Sequence, residues 1–102
     1  LINGGSRSGK EVLAYFFKKT GRGVLVGERT AGYVMGGRKK DISSDSFLYY
    51  GACDMLIDGK RLEGVGVEPD IEVPFDIRFA AGKDIQLQQA KDEIVRLIEA
   101  SS

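Results

Sequence analysis

Apolar residues recur at spacings of one, three and four in the first fifth of the chain. Val12, Leu13, Phe16 and Phe17 form one stripe, which predicts an amphipathic helix over about Ser8 to Thr20. Ser8 followed by Glu11 fits a capping box, in which hydroxyl and carboxylate satisfy each other's free N–H groups. Lys18 and Lys19 suit the negative end of the helix dipole, and Gly21 is a natural stop. Before this helix, Leu1-Ile2-Asn3 reads as the end of a strand and Gly4-Gly5-Ser6-Arg7 as a tight turn. After it, Gly23-Val24-Leu25-Val26-Gly27 is an apolar run bounded by glycines, as expected for a strand buried on both faces. Strand, helix and strand at this spacing make a βαβ unit, so the two strands should run parallel.

The pattern then changes. Thr30 to Gly37 is rich in glycine and reads as a surface loop. Arg38 to Ser43 and Phe47 to Ile57 flank Ser44-Asp45, a polar turn pair. Along the second of these segments Phe47, Tyr49, Cys53, Met55 and Ile57 alternate, the period-2 mark of a half-buried strand. Asp58-Gly59 is a strong tight-turn signal. Glu63-Gly64-Val65-Gly66-Val67 alternates with glycine, Pro69-Asp70 follows, and Ile71-Glu72-Val73 is a short strand stopped by Pro74. A second helix is predicted from Asp84 to about Ala100, with Leu87, Ala90, Ile94, Leu97 and Ile98 on one face. The class is α/β, with no internal repeat.

Composition narrows the chemistry. The 102 residues carry 15 Lys+Arg against 15 Asp+Glu, and this neutral balance argues against nucleic acid or an anionic membrane as the main partner. The longest apolar run, Val12 to Phe17, is far shorter than the ~18 residues of a membrane span. One cysteine, Cys53, excludes an internal disulfide, and the Cys/His clusters of zinc sites are absent. There is no histidine, so any Ser-His chemistry needs a residue from outside these 102. The chain opens without Met, directly on a strand that turns at glycine after three residues. Strands are usually about five residues long, so a fragment of something larger is expected.

Three places invite a functional reading. Gly4-Gly5-Ser6-Arg7-Ser8-Gly9-Lys10 matches the phosphate-binding pattern G-x-x-x-x-G-K between a strand and a helix. That pattern then requires Ser or Thr, whereas this chain has Glu11, a like charge facing the phosphates. Ser8 is, on its ordinary reading, an N-cap worth roughly 1 kcal/mol. It also sits beside free N–H groups and the positive end of a helix dipole, which can stabilise an oxyanion. Glu63, on its ordinary reading, is a solvated carboxylate near a turn, and the glycines after it permit close approach of another segment.

Taken together, the motifs resemble those of the C-terminal processing (tail-specific) serine peptidases and their tricorn-like relatives. Asn3-Gly4-Gly5-Ser6-Arg7-Ser8-Gly9-Lys10-Glu11 is similar to the family's N-x-x-S-x-S-x-x-E. Gly21-Arg22-Gly23-Val24-Leu25-Val26-Gly27-Glu28-Arg29-Thr30-Ala31-Gly32 resembles G-R-x-x-L-V-G-E-x-T-x-G. Gly66-Val67-Glu68-Pro69-Asp70-Ile71-Glu72-Val73 resembles G-(I/V)-x-P-D-(I/V)-x-V, and Asp84-Ile85-Gln86-Leu87-Gln88-Gln89-Ala90 a D-x-Q-L-x-x-A helix start. The four occur in family order.

The resemblance implies that residues 1–102 are the C-terminal portion of one peptidase catalytic domain, in a crotonase-like (ClpP-like) α/β core. It implies a serine endopeptidase cleaving polypeptides near their C-termini, with no cofactor or metal. Ser8 corresponds to the nucleophile, rather than Ser6, and Gly9 would lend its N–H to the oxyanion hole. The Ser-Lys branch carries a lysine after T-x-G; here that position is Tyr33, and Lys10 lies too near Ser8 on the same helix to replace it. In the tricorn-like branch the base is an upstream histidine oriented by a Glu before the P-D, a place held here by Glu63. The implied partners are a polypeptide substrate and the upstream half of the same protein, and the chain alone should be inactive. The family suggests a periplasmic or cell-envelope setting. Two rival readings are a non-catalytic relative, since retinoid-binding proteins of the eye repeat this core around a lipid cleft, and a nucleotide-binding domain. A half-core also exposes apolar surface and a strand edge, so self-association into a homodimer is expected.

Overall fold

The computed structural model describes residues 1–79 and 81–102. Along the chain run α1 (Gly9–Thr20), β1 (Val26–Gly27), β2 (Gly36–Asp41), β3 (Phe47–Cys53), β4 (Leu56–Ile57), β5 (Lys60–Arg61), β6 (Ile71–Glu72) and α2 (Ile85–Ser101). This is a mixed α/β arrangement, as the hydrophobic pattern predicts.

A small parallel sheet positions everything else. β1 lies between Ile2 and β6, parallel to both. Ile2 N–H donates to Val26 C=O at 2.9 Å, and Glu28 N–H donates to Ile2 C=O at 2.9 Å. On the other edge Val73 N–H donates to Gly27 C=O at 2.8 Å. Gly27 has φ 131°, and a Cβ there would lie 2.0 Å from the Ile2 carbonyl oxygen, so only glycine admits this pairing. Asp70 aligns the second edge: its Oδ2 accepts from Leu25 N–H at 2.7 Å, while its own N–H donates to Leu25 C=O at 2.7 Å. Lys18, near the end of α1, reaches the same corner through Asp70 Oδ1 at 3.5 Å and Glu68 C=O at 2.9 Å. The parallel βαβ reading therefore holds, although the second strand is confined to two residues and Val24 is exposed.

The core joins Ile2, Ala14, Leu25, Val34, Ile57, Leu62 and Val67, with Val12 and Tyr15 packed against it. α1 thus enters the core along Glu11, Val12, Ala14 and Tyr15. Most of the stripe predicted to do so is turned away: Leu13 is 60% exposed, Phe16 and Phe17 42% each. The helix carries apolar residues on two sides, and periodicity cannot say which is chosen. The side with Glu11 is chosen because that carboxylate finds its donors there.

The middle of the chain also departs from expectation. β2 and β3 form an antiparallel hairpin in which every residue except the half-buried Gly36 is exposed, so Phe47 to Ile57 is not one half-buried strand. Pairing with β2 ends at Cys53, and Leu56–Ile57 pairs instead with β5 across the Asp58-Gly59 turn. The alternation is real, but among the described residues no second layer lies against it; only Ile57 of that segment is buried. α2 begins at its Asp84 cap, where Oδ1 accepts from Leu87 N–H at 2.9 Å. It is tied down by Gln86, whose amide donates to Val73 C=O at 2.8 Å and Glu28 Oε2 at 3.3 Å. Its apolar face stays largely open, with Ile94 58% exposed. No helix among the described residues is long and apolar enough to cross a membrane.

Candidate active site

The turn before α1 is closed by its own side chains. Asn3 Oδ1 accepts from Gly5 N–H at 2.9 Å, Ser6 N–H donates to Asn3 C=O at 2.8 Å, and Asn3 N–H donates to Ser6 Oγ at 3.2 Å. Ser6 is therefore part of the turn. The Gly5, Ser6 and Ser8 N–H groups of that loop are spent internally, and Lys10 lines an apolar groove with Leu13 and Phe17. The G-x-x-x-x-G-K match does not form an anion cradle.

Ser8 is built differently. Its φ of 56° and ψ of −130° lie where a residue with a Cβ rarely goes, at a cost of about 1–3 kcal/mol. Among the described residues only Asp58 shares this positive φ without being glycine. Ser8 and Glu11 stand in the capping-box arrangement that the sequence predicts, with Glu11 Oε2 reaching back to the Ser8 N–H. The backbone is what is held. Ser8 N–H donates to Tyr33 C=O at 2.8 Å and to Glu11 Oε2 at 3.2 Å, while the residue itself is exposed. The hydroxyl thus sits on the surface at a helix N-terminus. Beside it the Gly9 N–H, one of the donors every helix start leaves over, has no protein partner among the described residues.

Glu11 is fully buried and takes four hydrogen bonds. Oε1 accepts from Thr30 Oγ1 at 2.5 Å and Gly32 N–H at 2.6 Å; Oε2 accepts from Tyr33 N–H at 2.8 Å besides Ser8 N–H. The segment read as a surface loop is therefore partly interior, with Thr30, Gly32 and Val34 buried. Thr30 extends the network, since its Oγ1 accepts from Val67 N–H at 2.7 Å and its N–H donates to Val67 C=O at 3.0 Å. Two glycines let these loops interlock: a Cβ on Gly66 would lie 2.5 Å from the Thr30 carbonyl oxygen, and one on Gly32 would lie 3.1 Å from Val65 N.

Glu63 is half-buried and not merely solvated. Its Oε2 accepts from Val34 N–H at 2.6 Å and Met35 N–H at 2.9 Å. One peptide group therefore joins the two candidate residues. The Tyr33 carbonyl takes the Ser8 N–H, and the N–H on the other side of the same planar unit, that of Val34, goes to Glu63. The chain of bonds sets Ser8 N and Glu63 Oε2 no more than roughly 8 Å apart. Arg7 stacks its guanidinium 5.2 Å from the centre of the exposed Tyr33 ring. The roles of Glu11 and Thr30 went unread in the sequence beyond a helix cap; the signal was S-x-x-E together with T-x-G.

Residues 1–73, which hold every residue of this site, match the model of Peptidase family S41. The chain belongs to that family. It is 33% identical, over its full length, to a protein of Sulfurisphaera tokodaii named as a tricorn-like protease C-terminal subunit, of which it covers 12%. It is 30% identical over 93% of its length to the tricorn protease of Thermoplasma acidophilum, of which it covers 9%. A crystal structure of the tricorn protease superposes with a TM-score of 0.84 at 29% identity, over 95% of this chain and 10% of the other. The chain thus spans about a tenth of the length of the curated relatives it matches. Within the S41 chain α2 lies beyond the matched segment, while Ser8, Gly9 and Glu63 lie inside it.

Proposed function

We propose that this chain forms part of the catalytic domain of a serine peptidase, in a crotonase-like core, that cleaves polypeptides near their C-termini. Ser8 is the nucleophile, Gly9 N–H is one donor of the oxyanion hole, and Glu63 orients a histidine supplied from outside residues 1–102. The peptide shared between Ser8 and Glu63 carries this reading. Hydrogen bonds of ordinary length at both nitrogens of an imidazole span about 7–8 Å, and the shared peptide keeps the Ser8 backbone and the Glu63 carboxylate within roughly 8 Å of each other. The free side of the Glu63 carboxylate, Oε1, is not committed to any donor among the described residues.

In the proposed cycle the imidazole takes the Ser8 proton as Oγ adds to the scissile carbonyl, and the Gly9 N–H stabilises the oxyanion. The imidazolium then protonates the leaving amine, and water releases the acyl group by the same route in reverse. General-base help is worth about 10²–10⁴-fold, so residues 1–102 alone should be nearly inert. A lipid-binding relative would gain nothing from an exposed serine held in a strained conformation, which favours catalysis over that alternative. The test is a fluorophosphonate probe on the full-length protein. Labelling that disappears in Ser8→Ala supports the reading; equal labelling of both proteins defeats it.

A further inference from the structure

We propose that Glu11 and Thr30 are a positioning pair for Ser8, holding the serine in its left-handed conformation and setting the Glu63 segment against it; this rests on Ser8 being the nucleophile. Glu11 is fully buried, so it touches neither substrate nor base. What it does touch defines the site. Its two oxygens collect the N–H groups of Ser8, Gly32 and Tyr33, so the turn before α1 and the loop supplying the Tyr33 carbonyl are referenced to one side chain. Thr30 Oγ1 donates to Glu11 and accepts from Val67 N–H, which ties in the segment that carries Glu63. A residue with a Cβ stays at φ 56° only when its surroundings over-determine it, and the two acceptors on Ser8 N–H do so.

The chemistry asks for a carboxylate in particular. Each oxygen faces at least one backbone N–H, which cannot reverse; only the Thr30 hydroxyl can turn. A glutamine of the same size must place its NH₂ against one of those donors, leaving a buried N–H unpaired. Thr30→Ser keeps the hydroxyl that Thr30→Val removes.

The experiment uses the full-length peptidase with Glu11→Gln, Thr30→Val and Thr30→Ser, reading kcat and KM on a peptide substrate and hydrogen exchange at the Ser8 and Tyr33 amides. Misplacing a reacting group by about an ångström costs about 10²-fold, so Glu11→Gln should lose about that in kcat with KM nearly unchanged. Exchange at the two amides should quicken by about tenfold or more without loss of the global fold. Thr30→Val should show the same pattern in weaker form, and Thr30→Ser should restore it. If Glu11→Gln does not fold, Thr30→Val decides by the same readouts. Wild-type kcat, or unchanged amide protection, in the folded variant overturns the proposal. Exchange is read without turnover, so an active Ser8→Ala would sink the nucleophile assignment and leave the Glu11 result to be judged separately.

Discussion

At the scale of single residues, the chain spends its unusual conformations where segments meet. Gly66 has φ +74° and no room for a Cβ beside the Thr30 carbonyl, while Gly64 has φ +73° and open space around it. The pair separates strain from crowding. Gly64→Ala should cost about 1–2 kcal/mol, the left-handed penalty alone, whereas Gly66→Ala adds overpacking and should cost about 2–5 kcal/mol. Urea denaturation of the two variants measures the difference, and equal losses would show that the Thr30–Gly66 contact gives way. Much of the candidate site was legible at this scale: Ser8 and Glu63 stand in recognisable motifs. Glu11 was legible only as a cap, because its other three donors come from residues 30–33, and no local pattern announces a partner twenty residues away.

At the scale of elements, packing chose among faces that the pattern left equivalent. α1 turns Glu11 and Ala14 inward and leaves Phe16 and Phe17 in the open. The β4–β5 turn is anchored to that helix from the side: Asp58 accepts from the Tyr15 hydroxyl at 3.1 Å and pairs with Lys19 at 2.5 Å. The Lys19 ammonium first, and the Tyr15 hydroxyl second, hold the Asp58 carboxyl below its ordinary value. The hydrogen bond to Asp58 chiefly holds Lys19 above its own. The lowered carboxyl contributes stability that is present above its unfolded value, about 4, and is lost as pH falls through the folded one. The raised ammonium contributes stability present below about pH 10.4 and lost as pH rises through its folded value. Asp58→Asn, which tolerates the positive φ, should therefore lower Tm at neutral pH, with the difference closing as the solution is acidified below the carboxylate range. Parallel melting curves across pH check this; a gap that stays constant into strong acid would rule out the ion pair as its source.

At the scale of the whole molecule, shape is the dominant fact. The Cα radius of gyration is 17.3 Å and the extents are 58 × 37 × 21 Å, whereas a compact chain of this length has a radius near 13 Å. The β2–β3 hairpin projects from the core, and its side chains, including Phe47, Leu48 and Tyr49, are exposed. A second apolar surface is the groove of about 620 Å³ between α1, β1 and α2, lined by Leu13, Phe17, Val24, Ile94 and Leu97 among others. Surfaces of this kind associate in water. The chain by itself should therefore show a concentration-dependent mass in sedimentation velocity; a monomer at every concentration would contradict this.

The amino-acid sequence alone determined the local elements and the chemistry on offer. Helix ends, the Asp58-Gly59 turn and the serine motif rest on interactions within a few residues, so a linear pattern carries them, and the parallel pairing follows from the spacing of strand, helix and strand. Only the tertiary structure decided which side of α1 is interior, that the Thr30 to Gly37 stretch is a wall of the candidate site, and that no layer among the described residues lies against β3. It also decided that Glu11 gathers the site around itself. Those outcomes depend on which distant groups compete for the same donors and the same apolar contact, and that competition is settled only when the segments are brought together.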